Sequence, residues 1–254
     1  MRSLPMKPPN PHNRVAVITG ATGGIGSAVA RALAAADTSL CLTGRELGRL
    51  EESAREIGAR AARILVHRAD LSSDDAIRGL AERVRAELGR IDVLVHAAGA
   101  LRLGNIEVAG WNDLDELYRV NLRAPVLLTK AFLPMLKESN GEIVFINSSA
   151  GLAARAENGL YGATKHALRS IADSIRDHVN PYGIRVISVF PGRTDTPMQE
   201  AVLRFEGREH AAAELLQPSD VAEMVIAALR LPRTAEVTEV MLRPMRKSPG
   251  RSGG

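Results

Sequence analysis

From residue 14 onward, short runs of aliphatic residues alternate with longer stretches in which apolar side chains recur every three or four positions. The short runs predict strands and the longer stretches predict amphipathic helices. Strands are predicted at 14–19, 39–43, 63–67, 92–97, 141–147, 184–190 and 237–242. Helices are predicted at 24–36, 46–57, 73–88, 112–137, 159–179 and 218–230. This alternation is typical of βαβ units, and therefore of a parallel sheet in an α/β protein.

Two places in the pattern are irregular. Pro125 falls inside the predicted helix 112–137, and we expect a bend or junction there because proline cannot donate the helical hydrogen bond. Residues 192–215 show no regular period and are predicted to form a short irregular segment. No change of composition marks a linker, so the pattern predicts a single domain over 14–243. The remaining residues are predicted to be tails, a disordered one at 1–13 and a flexible one at 244–254.

The composition narrows the class of protein. Hydrophobic residues make up 45% of the 254 positions and charged residues 24%, as in an ordinary soluble protein, and no run approaches the ~20 apolar residues of a membrane span. The net charge of +4 is scattered and aromatics are 3%, which argues against a nucleic-acid partner. The histidines lack metal-binding spacing, so no metal is expected. The first residues lack the apolar region of a secretory signal, which predicts a cytoplasmic location.

A glycine-rich turn follows the first predicted strand. The letters TGATGGIG occupy residues 19–26, with glycines at 20, 24 and 26 in the spacing GxxxGxG. Such a turn lets the backbone approach a pyrophosphate at the N-terminus of the next helix. The same letters are also compatible with a tight strand-to-helix turn that holds no ligand.

The end of the second predicted strand bears on which dinucleotide the turn would hold. A carboxylate there favours the free ribose hydroxyl of NAD, whereas an arginine favours the 2′-phosphate of NADP. This chain has Thr43, Gly44 and Arg45 at that point, followed by Glu46. A guanidinium brackets a phosphate with paired donors, so NADP(H) is favoured over NAD(H). The alternative is that Arg45 is a solvated charge at a helix start.

The letters YGATK at 161–165 place a tyrosine and a lysine one turn apart on one face of the predicted helix 159–179. An unperturbed phenol is a poor base at neutral pH. A nearby ammonium favours its anionic form, so Lys165 is expected to lower the pKa of Tyr161 toward the range in which general acid–base catalysis works best.

Six motifs occur in a fixed order along the chain: the glycine turn, HAAG (96–99), VN (120–121), INSSAG (146–151), YGATK (161–165) and PGRTDT (191–196). Together they resemble the motifs of the short-chain dehydrogenase/reductase family, in its classical branch, over about residues 14–243. The resemblance implies a single-domain Rossmann fold, which is a doubly wound parallel sheet of about seven strands in the order 3-2-1-4-5-6-7 with helices on both faces. It also implies hydride transfer between a nicotinamide cofactor and the carbonyl or alcohol group of a small molecule.

The same resemblance implies a catalytic set. Tyr161 would be the general acid and base, with Lys165 as its partner. Ser148 would hold the substrate oxygen, and Asn121 would hold a water that links Lys165 to solvent.

The cofactor contacts follow from the glycine turn, from the end of the second strand and from the resemblance. Asp70 and Leu71 are implied beside the adenine, and Ala98 and Gly99 along a ribose. The full set of expected cofactor-binding residues is Gly20, Thr22, Gly23, Gly24, Ile25, Gly26, Arg45, Asp70, Leu71, Ala98, Gly99, Tyr161, Lys165, Pro191, Gly192, Thr194 and Thr196.

Two positions depart from the family pattern. His96 stands where the family usually has asparagine, and Thr194 stands where valine or isoleucine is commoner. We expect His96 to be a structural substitute that hydrogen-bonds the neighbouring backbone. Thr194 is expected to offer its backbone to the nicotinamide carboxamide.

Substrate choice is expected to lie in residues 101–110, 152–158 and 192–215, because these follow the carboxyl ends of strands four, five and six. We call residues 192–215 the lid; its shortness favours a compact alcohol or ketone. Five cationic residues in these segments fit either an anionic substrate or solvated surface charge, namely Arg155, Arg193, Arg204, Arg208 and His210.

Other functions and the assembly complete the expectations. A sensor that binds NADP(H) without turnover is the alternative function, although such a protein usually loses the tyrosine or the lysine. A sugar-nucleotide epimerase is disfavoured because the chain lacks a larger C-terminal region. The resemblance implies a homotetramer or homodimer built through the predicted helices 112–137 and 159–179.

Overall fold

The computed structural model of the chain describes residues 14–153 and 155–246. The predicted tail 1–13, and residues 247–254 of the other predicted tail, lie outside the described residues. None of the helices in the described ranges combines the length and the apolar character that crossing a membrane requires.

Seven strands form one sheet in which all neighbours are parallel. They are β1 (Val15–Thr19), β2 (Ser39–Gly44), β3 (Ile64–Arg68), β4 (Val93–His96), β5 (Glu142–Ile146), β6 (Arg185–Pro191) and β7 (Glu239–Leu242). Their order across the sheet is β3-β2-β1-β4-β5-β6-β7. This order confirms the predicted doubly wound α/β fold.

Eight α-helices connect the strands in the described part of the chain. They are α1 (Gly24–Ala34), α2 (Leu47–Ile57), α3 (Asp74–Leu88), α4 (Asp113–Tyr118), α5 (Ala124–Ser139), α6 (Gly159–Val179), α7 (Pro197–Glu206) and α8 (Pro218–Arg230). The predicted helices 159–179 and 218–230 are confirmed with the same bounds.

The core consists of two apolar layers, one on each face of the sheet. Alternate residues of β1 point to opposite faces, so Ala16 and Ile18 pack in one layer and Val17 packs in the other. Helices α1, α2 and α8 cover the first layer, and α3, α5 and α6 cover the second. Because both faces are covered, the strands are mainly apolar, and most of their polar residues lie at the strand ends.

The predicted helix 112–137 is divided into three parts. A single π-helical turn, Arg119–Arg123, separates α4 from α5. Pro125 is the second residue of α5, and it has no N–H to donate to the carbonyls of the preceding π-helical turn. The junction expected at Pro125 is therefore confirmed, and Asn121 lies in the π-helical turn just before it.

The prediction that residues 192–215 are irregular is wrong, because they contain α7. Thr196 caps this helix, since its Oγ1 accepts a hydrogen bond from the backbone N–H of Gln199 at 3.2 Å. Pro197 occupies the first turn, and Gly207 ends the helix in the left-handed conformation, with φ of 64°. The sequence contains both capping signals, Thr-Pro at the start and glycine at the end. Because α7 has no long apolar stripe, the hydrophobic periodicity did not reveal it.

Candidate active site

The carboxyl ends of the central strands open into one cavity of about 440 Å³. Every residue expected to contact the cofactor lies in its wall, and so does Ser148. Of the predicted site residues only Asn121 lies outside the wall, beside Gly99. The motifs are far apart in sequence, and the parallel sheet brings them together because equivalent ends of parallel strands meet at one edge.

The glycine turn packs so closely against its surroundings that Gly20 and Gly26 have no room for a side chain. Gly20 has φ of 63°, and a Cβ there would lie 2.7 Å from the backbone of Ala98. A Cβ on Gly26 would lie 2.2 Å from the carbonyl oxygen of Gly20. No side chain caps the N-terminus of α1 at Gly23, which leaves its first N–H groups to an external acceptor. A diphosphate group fits this cradle, since it supplies oxygens and negative charge.

Thr19, the first residue of the glycine-turn motif, joins the turn to the next strand end. Its Oγ1 accepts hydrogen bonds from the backbone N–H groups of Ala97 and Ala98, both at 3.1 Å, and donates to the carbonyl of Val95 at 3.3 Å. The side chain of Thr19 therefore fixes the spacing between the turn and the predicted ribose-lining segment. Sequence reasoning did not single out this residue.

The end of the cavity beside β2 and β3 is rich in arginine. Arg45 and Arg49 both lie in the wall, and Nη2 of Arg49 donates to the carbonyl of Thr22 at 3.3 Å. Hydrogen bonds from the backbone and hydroxyl of Ser72, followed by the charge of Arg45, hold the pKa of Asp70 below its usual value. Arg49 was not among the predicted contacts, although it follows Arg45 by four positions and helical spacing could have found it.

The predicted catalytic residues lie on two elements that face each other. Tyr161 and Lys165 are buried on α6, with Nζ of Lys165 5.8 Å from the centre of the Tyr161 ring. Nζ donates a hydrogen bond to the carbonyl of Ile146 at 3.1 Å. Ser148 follows β5, and its Oγ accepts from the N–H of Ala150 at 3.1 Å.

Asn147 connects these two elements. Its Oδ1 accepts a hydrogen bond from the backbone N–H of Ser148 at 2.9 Å, and its Nδ2 donates to the backbone carbonyl of Lys165 at 3.2 Å. A change in Asn147 would therefore shift Ser148 relative to α6. This positioning role was missed, although Asn147 stands beside Ser148 in the quoted motif.

The pKa of Tyr161 differs from the expectation. Burial raises the pKa of this phenol above its ordinary value, and the hydrogen bond with Ser148 opposes the rise. Burial also lowers the pKa of Lys165 to about 8. The expected lowering of the phenol's pKa is thus wrong for the protein alone, because loss of solvent outweighs the hydrogen bond with Ser148.

Asn121 is 1% exposed, and both polar atoms of its side chain have hydrogen-bond partners. Its Oδ1 accepts from the N–H of Ala100 at 2.7 Å, while its Nδ2 donates to the carbonyl of Ala100 at 2.9 Å and to Oγ1 of Thr164 at 3.1 Å. The side chain thus ties the segment after β4 to α6.

The prediction that His96 hydrogen-bonds the neighbouring backbone is wrong. Nε2 of His96 lies 2.9 Å from Oγ1 of Thr129 on α5, and the ring stacks on Phe145 with 4.8 Å between centroids. Burial lowers the pKa of His96 to about 3, which keeps the ring neutral. His96 lies in the core behind the cavity, so it serves packing between the sheet and α5.

Three of these five basic residues contact acidic residues within the lid. Arg193 donates to Glu206 at 2.7 Å, Arg208 lies 3.4 Å from Glu214, and His210 lies 2.8 Å from Asp195; all five cations lie outside the wall of the main cavity. These pairs favour surface charge over a site for an anionic substrate. Thr194 lies in the wall, and its Oγ1 donates to the carbonyl of Gly192 at 3.0 Å.

Replacing Lys165 with methionine is expected to stabilise the fold while removing the ammonium. The drop in the pKa of Lys165 from 10.5 to about 8 corresponds to about 3 kcal/mol against the charged form. Losing the donor to Ile146 offsets about 1 kcal/mol of this, so a net gain of about 2 kcal/mol is expected near neutral pH. Denaturant unfolding at several pH values measures it.

The pH dependence of this gain has a fixed sign. Between about pH 8 and pH 10.5, Lys165 holds its proton in the unfolded chain but has released it in the folded protein. The wild type therefore becomes more stable as the pH rises through this window. The extra stability of the methionine variant is therefore greatest below about pH 8 and shrinks as the pH rises through that window. Lys130→Met, at an exposed position on α5, is the control. A loss of stability at neutral pH, or a gain that does not change with pH, would contradict the account.

Comparison with known proteins identifies the family. The family model described as short chain dehydrogenase matches residues 14–207. This chain belongs to the short-chain dehydrogenase/reductase family. It is therefore an NAD(P)-dependent oxidoreductase, as the motifs predicted.

Individual relatives agree with this assignment. An uncharacterised oxidoreductase of Staphylococcus saprophyticus is 33% identical over 235 residues, which cover 92% of this chain and 98% of that protein. The alcohol dehydrogenase of the archaeon Thermococcus sibiricus, solved with 5-hydroxy-NADP, has a TM-score of 0.85 at 30% identity over 94% of this chain and 100% of that one. A metagenomic short-chain oxidoreductase solved with NADP has a TM-score of 0.79 at 33% identity, over 92% of this chain and 98% of that one.

Proposed function

We propose that the protein transfers hydride between NADP(H) and the carbonyl or alcohol carbon of a compact small molecule, with Tyr161 as general acid and base. The observation that carries the proposal is the presence of Ser148, Tyr161 and Lys165 in the wall of the cavity that also contains the glycine turn. A proton donor and a dinucleotide cradle in one cavity are what reduction of a carbonyl requires.

Different residues of the wall would bind different parts of the cofactor. The glycine turn and the start of α1 would bind the diphosphate, Asp70 and Leu71 would contact the adenine, and Ala98 and Gly99 would line a ribose. The segment from Pro191 to Thr196 would hold the nicotinamide. When bound, the nicotinamide supplies or accepts hydride at its C4 atom.

The proton has a defined path in the direction of reduction. Because the pKa of Tyr161 is raised by burial, its phenol keeps the proton at neutral pH and can donate it to the developing alkoxide. The hydroxyl of Ser148 donates a hydrogen bond to the same oxygen and stabilises its charge. In the oxidation direction Tyr161 must first lose its proton, and the charges of Lys165 and of an oxidised nicotinamide would favour that loss.

The arginines beside β2 support a preference for NADP(H). Arg45 and Arg49 flank the place where a ribose 2′-phosphate would lie, and a guanidinium binds phosphate with paired donors. The solved relatives with NADP and 5-hydroxy-NADP are consistent with this choice. NAD(H) is the less favoured cofactor because Glu46 is the only carboxylate in the wall at the end of β2 in the described residues, and it lies 3.5 Å from Arg49.

Replacing Arg45 and Arg49 with alanine is expected to weaken NADPH binding and to leave NADH binding nearly unchanged. Hydrogen bonds to charged groups contribute about 1.5–3 kcal/mol, so the double variant should bind NADPH at least about 10-fold more weakly. Fluorescence titration of both cofactors measures the ratio. Arg55→Ala, exposed on α2 outside the cavity wall, is the matched control. Equal losses for NADPH and NADH would count against a phosphate clamp.

A panel of carbonyl compounds and alcohols, followed by the absorbance of NADPH, tests turnover itself. Consumption of NADPH with at least one compact carbonyl supports the proposal. NADPH binding without turnover on any compound would favour the sensor, which no observation in the described residues favours now. Cytoplasmic location and a homotetramer or homodimer stay predictions.

A further inference from the structure

The first turn of α7 carries a buried side-chain amide without a hydrogen-bond partner. Gln199 is 8% exposed, and its Nε2 is buried and makes no hydrogen bond to any described residue. Leaving such a donor unpaired is unfavourable, and native proteins rarely do so without a reason. Five buried side-chain atoms in residues 14–153 and 155–246 share this property, and they belong to Thr43, His96, Asn158, Ser188 and Gln199.

Of these five residues, Gln199 alone lies in the wall of the cavity. Its neighbours Thr196, Pro197 and Met198 lie in the wall too. Gln199 therefore borders the binding cleft with its amide nitrogen buried beneath the wall, whereas the other four atoms belong to residues outside the wall.

The position of α7 indicates which part of the cofactor the amide would meet. The start of α7 lies over the glycine turn, since a Cβ on Gly24 would be 2.5 Å from Cγ2 of Thr196. Helix α7 follows β6, on the side of the cavity away from Arg45 and β2. The cap between Thr196 and Gln199 fixes the backbone at this point.

We propose that the side chain of Gln199 turns toward the cavity when the cofactor binds, and that its amide then donates a hydrogen bond to an oxygen on the nicotinamide half of the dinucleotide and so joins the lid to the bound cofactor. The acceptor is either a diphosphate oxygen or the carboxamide oxygen of the nicotinamide. The positive end of the α7 dipole favours an oxygen in the same place. This inference rests on the proposed function, because it needs a nicotinamide dinucleotide in the cavity.

The variant Gln199→Leu separates a ligand-binding amide from a structural one. Leucine has a similar size and removes the unpaired donor, so the cofactor-free protein is expected to melt at the same or a higher temperature than the wild type. Its NADPH affinity is expected to fall about fivefold, the effect of one lost hydrogen bond. Glu200→Leu, exposed on the same helical turn, should leave the NADPH affinity unchanged.

Three probes show which oxygen is the acceptor: NADPH, 2′-phospho-ADP-ribose, which lacks the nicotinamide, and adenosine 2′,5′-bisphosphate, which lacks the second half altogether. Weaker binding of the first two indicates the diphosphate, and weaker binding of NADPH alone indicates the nicotinamide. Either result supports the proposal, provided that the affinity for the bisphosphate is unchanged.

Other results would overturn it. An unchanged NADPH affinity would do so, and so would an equal loss for all three probes. A lower melting temperature of cofactor-free Gln199→Leu would show that the amide already stabilises the fold. If the wild type binds NADPH and the variant binds it equally well, only this inference fails. If the wild type binds neither NADPH nor NADH, the proposed function fails as well.

Discussion

Phenylalanine at position 161 is expected to slow turnover by about 10²- to 10⁴-fold, the range that a positioned general acid contributes. The ring of Tyr161 is buried, and phenylalanine has the same shape without the hydroxyl. The cavity would therefore keep its form while the proton donor disappears. The measurement is the rate of NADPH oxidation at saturating cofactor, with a carbonyl compound found active in the panel.

Cofactor binding and stability should change little in the same variant. The hydroxyl of Tyr161 interacts with Ser148 strongly enough to oppose the rise of its pKa, and losing this interaction is expected to lower the free energy of unfolding by at most about 1 kcal/mol. Tyr182→Phe, at a tyrosine that is 45% exposed, is the matched control and should keep full activity. Near-normal turnover by Tyr161→Phe on a true substrate would refute the role of the phenol.

Alanine at position 26 is expected to disrupt both stability and cofactor binding. The new Cβ would lie 2.2 Å from the carbonyl oxygen of Gly20, so the backbone of the glycine turn must move. Overpacking of this kind costs about 1–3 kcal/mol, and a clash with backbone belongs at the upper end of that range. The displaced turn no longer presents its N–H groups in the right place, so NADPH affinity should fall more than about 10-fold.

Gly79 offers a control inside another helix, α3. A Cβ at Gly79 would meet no atom within 4 Å, so Gly79→Ala should raise the free energy of unfolding by about 1 kcal/mol through helix propensity. Opposite signs for the two variants would show that contact with the turn matters, and not the loss of a glycine as such. Unchanged stability and affinity in Gly26→Ala would mean that the turn tolerates a side chain.

Local sequence patterns predicted most of the fold because apolar residues repeat with different periods in strands and in helices, about two and 3.6 residues. The helix 159–179 shows this best, since its apolar stripe is long and its bounds are the same in the structure. Helix α7 was missed because it is short and buries only Gln199 and Leu203, too few residues to give a long apolar stripe. The π-helical turn at Asn121 was missed because a single such turn is too short to show a repeat of its own in the sequence.

Features that depend on tertiary contacts could not be predicted from the letters. Glu142 is fully buried within β5, where it is paired with Arg185 and Arg14, and no sequence period indicates such a pair. The side-chain partner of His96 comes from a helix 33 positions away. The raised pKa of Tyr161 likewise follows from burial, which the spacing of a tyrosine and a lysine does not reveal.

The most direct measurement is a crystal structure of the protein with bound NADPH. We predict that the diphosphate lies on the glycine turn at the start of α1, and that the phenol oxygen of Tyr161 faces the C4 atom of the nicotinamide ring. We also predict that the ammonium of Lys165 points toward the nicotinamide ribose. A nicotinamide bound outside the cavity, or a phenol turned away from C4, would contradict the account.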